Sequence, residues 1–343
     1  METSTGRIDF VLPWVDGSDP EWIALKRKYE LSESDIAGGD ANGECRYRDF
    51  GLLKYWFRAV ERFTPWVGKV FFVTCGQKPD WLNLSNPKLR FVSHRDYIPQ
   101  EYLPTFHSDT IELNLHRIPD LSERFVLFND DIFLLRPLRP ECFFKNGMPR
   151  ISCDLGIPTW LGCSTISRVA LNNGGVLRRS MDVNRLVWKN IAKFVDLRAL
   201  GPVRAMKNVV SFAVNRVVIP GTFGHLACPH LKSTLDEIWR VQPRIMDATS
   251  RSRFRIDTGV SQWLASAWNM VSGNFYPTNE KRNGMLLTID DKNISLICDA
   301  IRRQKWPQIC LFDNVDCPDI EVCFAKIASA LDALLPEKSS FEK

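Results

Sequence analysis

The hydrophobic positions of this chain alternate between short unbroken runs and longer stretches with helical spacing. The first run, "IDFVLPWV" (8–15), has the length of a buried strand and leads into "DGSDP", a turn signal. "AGGDANGE" (37–44) is a loop. In "GLLKYWFRAVERF" the apolar residues stand at 52, 53, 56, 57, 60 and 63, one face of a helix that Pro65 ends. "KVFFVTC" (69–75) and "LRFVSH" (89–94) predict two further strands. "DTIELNLHRI" returns to helical spacing, with Ile111, Leu115 and Ile118 on one face and Asp109 and Glu112 placed for a capping box. Phe125, Val126, Leu127 and Phe128 then form a strand that leads to two adjacent acids, Asp130 and Asp131.

Strands and helices alternating at this spacing predict an α/β fold, an open and largely parallel sheet flanked by helices. Ligands of such sheets bind beyond the carboxyl ends of the strands. "WVDG", "TCGQ" and "NDD" all occupy those ends, so their polar tips converge on one rim. In the middle of the chain, "NNGGVLRRSMDVNRL" reads as a turn followed by a helix. "STLDEIWR" opens a helix with Ser233 or Thr234 as its cap. "IEVCFAKIASALDALL" sets Ile320, Phe324, Ile327, Leu331 and Leu334 on one helix face. Neither repeats nor low-complexity tracts appear. The 343 residues predict one domain, with a core at 8–144, a helical insertion at 145–222 and the remainder of the core at 223–343.

Composition changes this picture only at its edges. Eleven Trp and twenty-one Phe exclude a disordered chain. A net charge of +5 suits a protein that handles phosphates or anionic glycans, but by itself speaks only to solubility. No stretch reaches the roughly eighteen continuous apolar residues of a membrane span, and "METSTGRIDF" lacks a secretory pattern. Ten cysteines (45, 75, 142, 153, 163, 228, 298, 310, 317, 323) contain no C-x-x-C pair, and Cys75 and Cys323 sit in apolar runs as small core residues. The expectation is a reduced, cytoplasmic protein, at most peripheral at the inner face of the cell membrane.

Candidate chemistry begins with Asp130 and Asp131. Two carboxylates at a strand end suit Mg2+ or Mn2+, hard cations that bridge to substrate phosphates. Strand geometry would aim only one of them at the site. Asp16 closes the first strand beside Gly17, which would let a ligand approach the backbone, and a plain Asp-Gly turn accounts for it equally well. Arg46, Arg48, Lys54 and Arg58 cluster around a helix start. Arg251, Arg253 and Arg255 alternate, so an extended chain would aim them the same way, and Arg255 between Phe254 and Ile256 is the least surface-like. "GHLACPH" holds His225, Cys228 and His230. Zinc is the lesser reading there and a general acid/base histidine the better one. The residues thus describe a phosphate-handling transferase or hydrolase without fixing its reaction.

Four blocks, in order, resemble the Stealth family of sugar-1-phosphate transferases. The first is "IDFVLPWVDGSDPEW". The second runs from "RYRDFGLLKYWFRAVERF" through "FHSDTIELNLHRIPDLSERFVLFNDDIFL". The third is "GHLACPHLKSTLDEIW" with "DATSRSRFRIDTGVSQ", and the fourth "ICLFDN" with the terminal "LLPEKSSFEK". The resemblance implies a nucleotide-sugar-transferase-like sheet and transfer of a hexose-1-phosphate, commonly N-acetylglucosamine-1-phosphate, from a UDP-sugar. The acceptor would be a hydroxyl of a glycan or lipid-linked glycan, with release of UMP, in capsule or cell-surface polysaccharide synthesis, with no role for nucleic acid. It implies Asp131, His225 and Asp16 as catalytic residues, and Asp130, Asp131 and Asp313 as ligands of Mg2+ or Mn2+. Arg48, Arg58, Lys232, Arg255, His107 and Asn129 would contact substrate. Counting back from "DATS" without gaps selects His225 over His230. Two departures stand out: His107 replaces the family's frequent Asn or Ser, and the fourth block reads "LFDN". A metal-dependent glycosyltransferase releasing UDP, or an inactive glycan-binding relative, is the alternative.

Overall fold

The computed structural model describes residues 6–33, 36–37, 39–153, 155, 165–214, 225–279, 282–313 and 317–343. Cys163 and Asn314 of "LFDN" lie outside them, as does Gly38 of the 37–44 loop. The strands are β1 (Ile8–Pro13), β2 (Val70–Thr74), β3 (Leu89–Ser93), β4 (Arg124–Leu127), β5 (Ile132–Leu134), β6 (Phe144–Lys145), β7 (Met148–Ser152), β8 (Cys228–Leu231), β9 (Tyr276–Thr278), β10 (Gly284–Thr288) and β11 (Gln308–Phe312). The central sheet has the order β3-β2-β1-β4-β8. Its first four strands are parallel, with Phe10 opposite Val70 and Val11 opposite Leu127, and β8 closes it antiparallel with His230 opposite Phe125. Two three-stranded sheets, β10-β11-β5 and β6-β7-β9, flank it.

β1, β2 and β4 read as unbroken apolar runs because both faces of the sheet are covered. Phe10, Leu12 and Phe72 pack on Trp56 and Phe57 of the helix Leu53–Phe63 and on Ile327 and Leu331 of the helix Ile320–Leu334. On the opposite face, Val11, Phe71 and Phe125 pack with Leu264 and Trp268 of the helix Trp263–Ser272. Each such side chain taken fully from water contributes about 2 kcal/mol.

Several local expectations give way to tertiary contacts. The helix expected over 109–118 is α-helical only at Ser108–Leu113, followed by a 3-10 turn at Leu115–Arg117. Its N-cap is His107, so the Asp109–Glu112 capping box does not form; Asp109 instead sits 3.1 Å from His107 Nε2. The helix Lys232–Val241 starts at Leu231 without a side-chain cap, since Ser233 bonds Glu123 and Thr234 donates to Asn269. The expected turn at Asn172–Gly175 is interior to the helix Thr165–Ser180. Asn172 donates to the carbonyls of Asp257 and Gly259, and Asn173 pairs with Ser261, which holds a glycine-weakened stretch helical. Among the described residues no helix is long and apolar enough to cross a membrane.

Candidate active site

The residues after β4 do not continue as a strand. Asn129, Asp130 and Asp131 form a turn into β5, and β5 leaves antiparallel to β11. A turn lifts the opposite-face rule of a strand, so both acids face one cleft, contrary to the expectation that only one would. The cleft encloses about 240 Å³ at the carboxyl ends of β1, β2 and β4. Its wall also takes Arg46, Arg48 and Asp49, then Ser108 and Glu112 of the helix Ser108–Leu113, and finally His225, Arg255 and Asp313.

The cleft is crowded with negative charge. Burial in the cleft, then Asp131 and then Asp49, push Asp130 up to about 8. Its side chain nevertheless opens to solvent, so repulsion from the neighbouring Asp131 and Asp49, which water screens only in part, carries the upward direction better than burial does. Burial raises Asp131 as well, against the pull of His225 and the Cys310 thiol. Asp131 Oδ1 is buried with no hydrogen-bond partner among the described residues. A satisfied buried carboxylate in this protein looks different: Asp9 accepts from Lys69 N and Ser122 N, both at 2.9 Å, and pairs with Arg7. The orphaned oxygen is thus a position that calls for a cation or a donor.

Asp131, His225 and Cys310 each offer a ligand atom within 4.8 Å of the others. Asp130 and Asp313 are not in that close trio. Cys310 Sγ stands 3.4 Å from His225 Nδ1, and burial followed by Asp131 keeps its thiol far above the usual range, hence protonated. A protonated thiol is a poor ligand, so the oxygen donors of the two aspartates suit a hard cation better than a soft one. Arg48 Nε lies 3.7 Å from Asp313 Oδ2, and the Arg46 guanidinium lies over Phe312.

Arg255 lines the same cleft. Its Nη1 donates to Ala41 O at 2.6 Å and its Nη2 to Ser108 Oγ at 2.8 Å. Its backbone pins the 37–44 loop, donating to Asn42 Oδ1 and accepting from Ala37 N and Asn42 Nδ2. The "RSRFR" arginines do not point one way: Arg251 pairs with Asp247, while Arg253 reaches Glu33 and the Tyr29 ring. Glu112 and Asp49 were not anticipated as site residues. Burial first, and Asp109 second, raise Glu112 well above the carboxylate range. Glu112 had a plausible task as a cap, and Asp49 sat among arginines, which masked both.

Other expected residues fall outside the cleft lining. Asp16 accepts from Ser18 N and Ser18 Oγ, and a Cβ on Gly17 would collide with the Tyr47 carbonyl, so that glycine serves packing rather than ligand approach. Arg58 is buried against Glu342 and donates to Leu335 O. Lys232 Nζ donates to Ile118 O at 2.7 Å, and His107 is buried between Ser252 O and Asp109. His225 lines the cleft, whereas His230 is buried in β8 beside Phe125 and Cys228 meets Ser266, so "GHLACPH" builds no common metal site. Cys323 is buried as expected, but Cys75 is half-buried on the cleft wall.

Sequence comparison shows which family the chain belongs to. Stealth protein CR1, conserved region 1, matches residues 6–34, and Stealth protein CR2, conserved region 2, matches residues 46–151. The chain is 37% identical over 340 residues to the capsular polysaccharide phosphotransferase WcwK of Streptococcus pneumoniae, covering 98% of this chain and 99% of that protein. It is 37% identical over 342 residues to the receptor polysaccharide phosphotransferase WefC of Streptococcus oralis, with 98% and 99% covered. It is 31% identical over 344 residues to the exopolysaccharide phosphotransferase cps2G of Lactiplantibacillus plantarum, with 98% and 96% covered. A solved glycosyltransferase, apo GlyE of Streptococcus pneumoniae, aligns over 90% of this chain and 81% of its own at 8% identity and a TM-score of 0.24, a score that establishes no common fold. Matches to both conserved regions in the first half of the chain, and alignments along nearly its whole length, lead to one conclusion: the chain belongs to the Stealth family, together with these polysaccharide phosphotransferases.

Proposed function

We propose that the protein transfers a hexose-1-phosphate, N-acetylglucosamine-1-phosphate in the first instance, from a UDP-sugar to a hydroxyl of a glycan or lipid-linked glycan in capsule or exopolysaccharide synthesis. The acceptor oxygen attacks the phosphorus that carries the sugar, the bond from that phosphorus to UMP breaks, and a phosphodiester forms. The observation that carries this reading is the meeting of Asp130, Asp131, His225 and Arg255 in one cleft at the strand ends, with Asp131 Oδ1 lacking a partner among the described residues. The cleft's place beyond a largely parallel sheet supports a nucleotide-sugar-transferase-like fold.

Phosphoryl transfer rests on positioning and charge neutralisation. Asp130 and Asp131 would hold Mg2+ or Mn2+, with Asp313 at the same wall, and the cation when bound would neutralise the diphosphate and the departing UMP. Arg255, fixed at two nitrogens by Ala41 and Ser108, contributes positive charge for the phosphates without having to be ordered on binding. His225 takes the acceptor proton at Nε2 while its Nδ1 faces the Cys310 thiol. Glu112, held protonated by burial, can donate a hydrogen bond to a substrate oxygen.

The test is product identity. The purified protein is incubated with UDP-N-acetylglucosamine, Mg2+ and capsule-type oligosaccharides, and the released nucleotide is separated by chromatography. UMP that disappears on chelation is expected. UDP would replace this reading with a glycosyltransferase.

A further inference from the structure

The turn 290–293 divides its two acids between two tasks. Asp290 caps the turn, its Oδ1 accepting from Lys292 N at 3.0 Å and from Asn293 N at 2.7 Å. Asp291 faces the helix Ile320–Leu334, where its Oδ1 accepts from Cys323 Sγ at 3.8 Å. Cys317, just before that helix, brings a second thiol to the same place: Asp291, Cys317 and Cys323 each offer a ligand atom within 4.8 Å of the others. Both thiols are free and buried, with Cys317 7% and Cys323 1% exposed, whereas Asp291 opens to solvent. Both cysteines belong to the apolar core. Packing alone, however, does not call for two sulfurs to gather around a carboxylate oxygen.

Two sulfurs and one oxygen form a donor set for zinc rather than for Mg2+, because thiolates select a borderline-soft cation. Three protein ligands leave a fourth tetrahedral position for water, and the exposed Asp291 side gives ion and water a way in. The acidic cleft is the reverse case, where the oxygens of two aspartates face a single thiol. Helix geometry supports thiolates here. Cys323 stands in the first turn, its N–H bonded to Asp319 O at 3.0 Å, and Cys317 lies two residues before Asp319, so both sit at the positive end of the helix dipole. Burial pushes the metal-free Cys323 thiol up to about 11, so binding is an exchange: one Zn2+ enters and the protons of both thiols leave to solvent. We infer that Asp291, Cys317 and Cys323 form a zinc site that ties the turn 290–293 to the helix Ile320–Leu334. It shares no residue with the cleft and does not depend on the reaction proposed there. It does brace one cleft wall, since Phe324, next to Cys323, stacks on Phe50 at 3.5 Å between ring centroids, and Asp313 stands four residues before Cys317.

The full chain, purified with a phosphine reductant, is loaded with Zn2+, dialysed and assayed for metal. Co2+ in place of zinc reports thiolate ligation through its charge-transfer absorption. One equivalent of zinc that withstands dialysis, and a thiolate–Co2+ band, are expected. C317S/C323S should lose both signals. D291N alters an exposed side chain and should weaken zinc binding by at least the roughly tenfold that losing a supporting partner costs, with far-UV circular dichroism unchanged. C310S, which removes the thiol of the cleft, should keep both signals. The inference is overturned by absence of a retained ion and of the band, or by C317S/C323S and D291N binding like the parent. Loss of the ion in C310S with retention in C317S/C323S would also overturn it, by placing the ion in the cleft. So would a Cys317–Cys323 disulfide, identified by mass spectrometry after exposure to air, in a chain that takes up no zinc when reduced.

Discussion

Arg58 forks onto Glu342: its Nε donates to Oε1 and its Nη2 to Oε2, both at 2.9 Å, with both side chains almost fully buried. The third arm, Nη1, donates to Leu335 O. This pair clamps the C-terminal tail against the helix Leu53–Phe63. It leaves the guanidinium engaged away from the cleft, where the family resemblance had placed it. The mutual pairing lowers Glu342 against the cost of its burial and raises Arg58.

Removing one partner of such a pair strands a buried charge. Arg58→Ala is therefore expected to destabilise the fold by about 3–5 kcal/mol, read as a lowered urea midpoint. The fraction that remains folded should keep its KM for the UDP-sugar. A raised KM with unchanged stability would return Arg58 to the substrate.

Asp131→Asn retains shape and removes charge. Turnover should fall by a factor of about 100 or more, without loss of stability, because the buried oxygen it replaces has no partner among the described residues to lose. UMP release at the parent rate would dismiss a cation site at the turn.

Arg255→Lys keeps the charge but cannot bond Ala41 and Ser108 in the same fork. KM for the nucleotide sugar is expected to rise several-fold, on the order of 1 kcal/mol, with limited proteolysis showing a looser 37–44 loop. Equal KM and equal proteolysis would remove Arg255 from both tasks.

His230 gives the pH prediction. Burial pushes its ring down to about 4; Gln262 stands beside it, but neither ring nitrogen has a hydrogen bond of ordinary geometry among the described residues. The unfolded ring protonates near 6.5. Above that pH both states are neutral and the stability is intact. Between 6.5 and about 4 the unfolded chain binds the proton and the folded one does not, so stability falls as pH falls through that window. A loss on the order of 2 kcal/mol is expected from this ring, and urea unfolding at pH 7.5 and pH 5 measures it. His230→Leu should shrink the difference between the two pH values; an undiminished difference would assign the acid lability to other groups.

Much of the fold is legible in the sequence itself. β1, β2 and β4 announce themselves because a strand covered on both faces needs an apolar run, and the Leu53–Phe63 helix because its buried face repeats every three to four residues. Asp130 and Asp131 were legible for a similar reason, as charge placed where an apolar run ends. The residues themselves point to Arg255 and to a histidine of "GHLACPH", and the motif resemblance selects His225; both Arg255 and His225 line the cleft.

The remaining features depend on partners distant in sequence. Asn172 and Asn173 keep a turn-like stretch helical because Asp257, Gly259 and Ser261 fold against them. Arg58 and Lys232 look like ligands in one dimension and become clamps in three, since Glu342 and the Ile118 carbonyl reach them first. Glu112 moves the other way, from presumed cap to cleft wall. Apolar burial is a property of periodicity, which a sequence carries locally. The role of a charged side chain is set by which opposite charge or carbonyl the fold brings within 3 Å, and that is known only when the chain has closed.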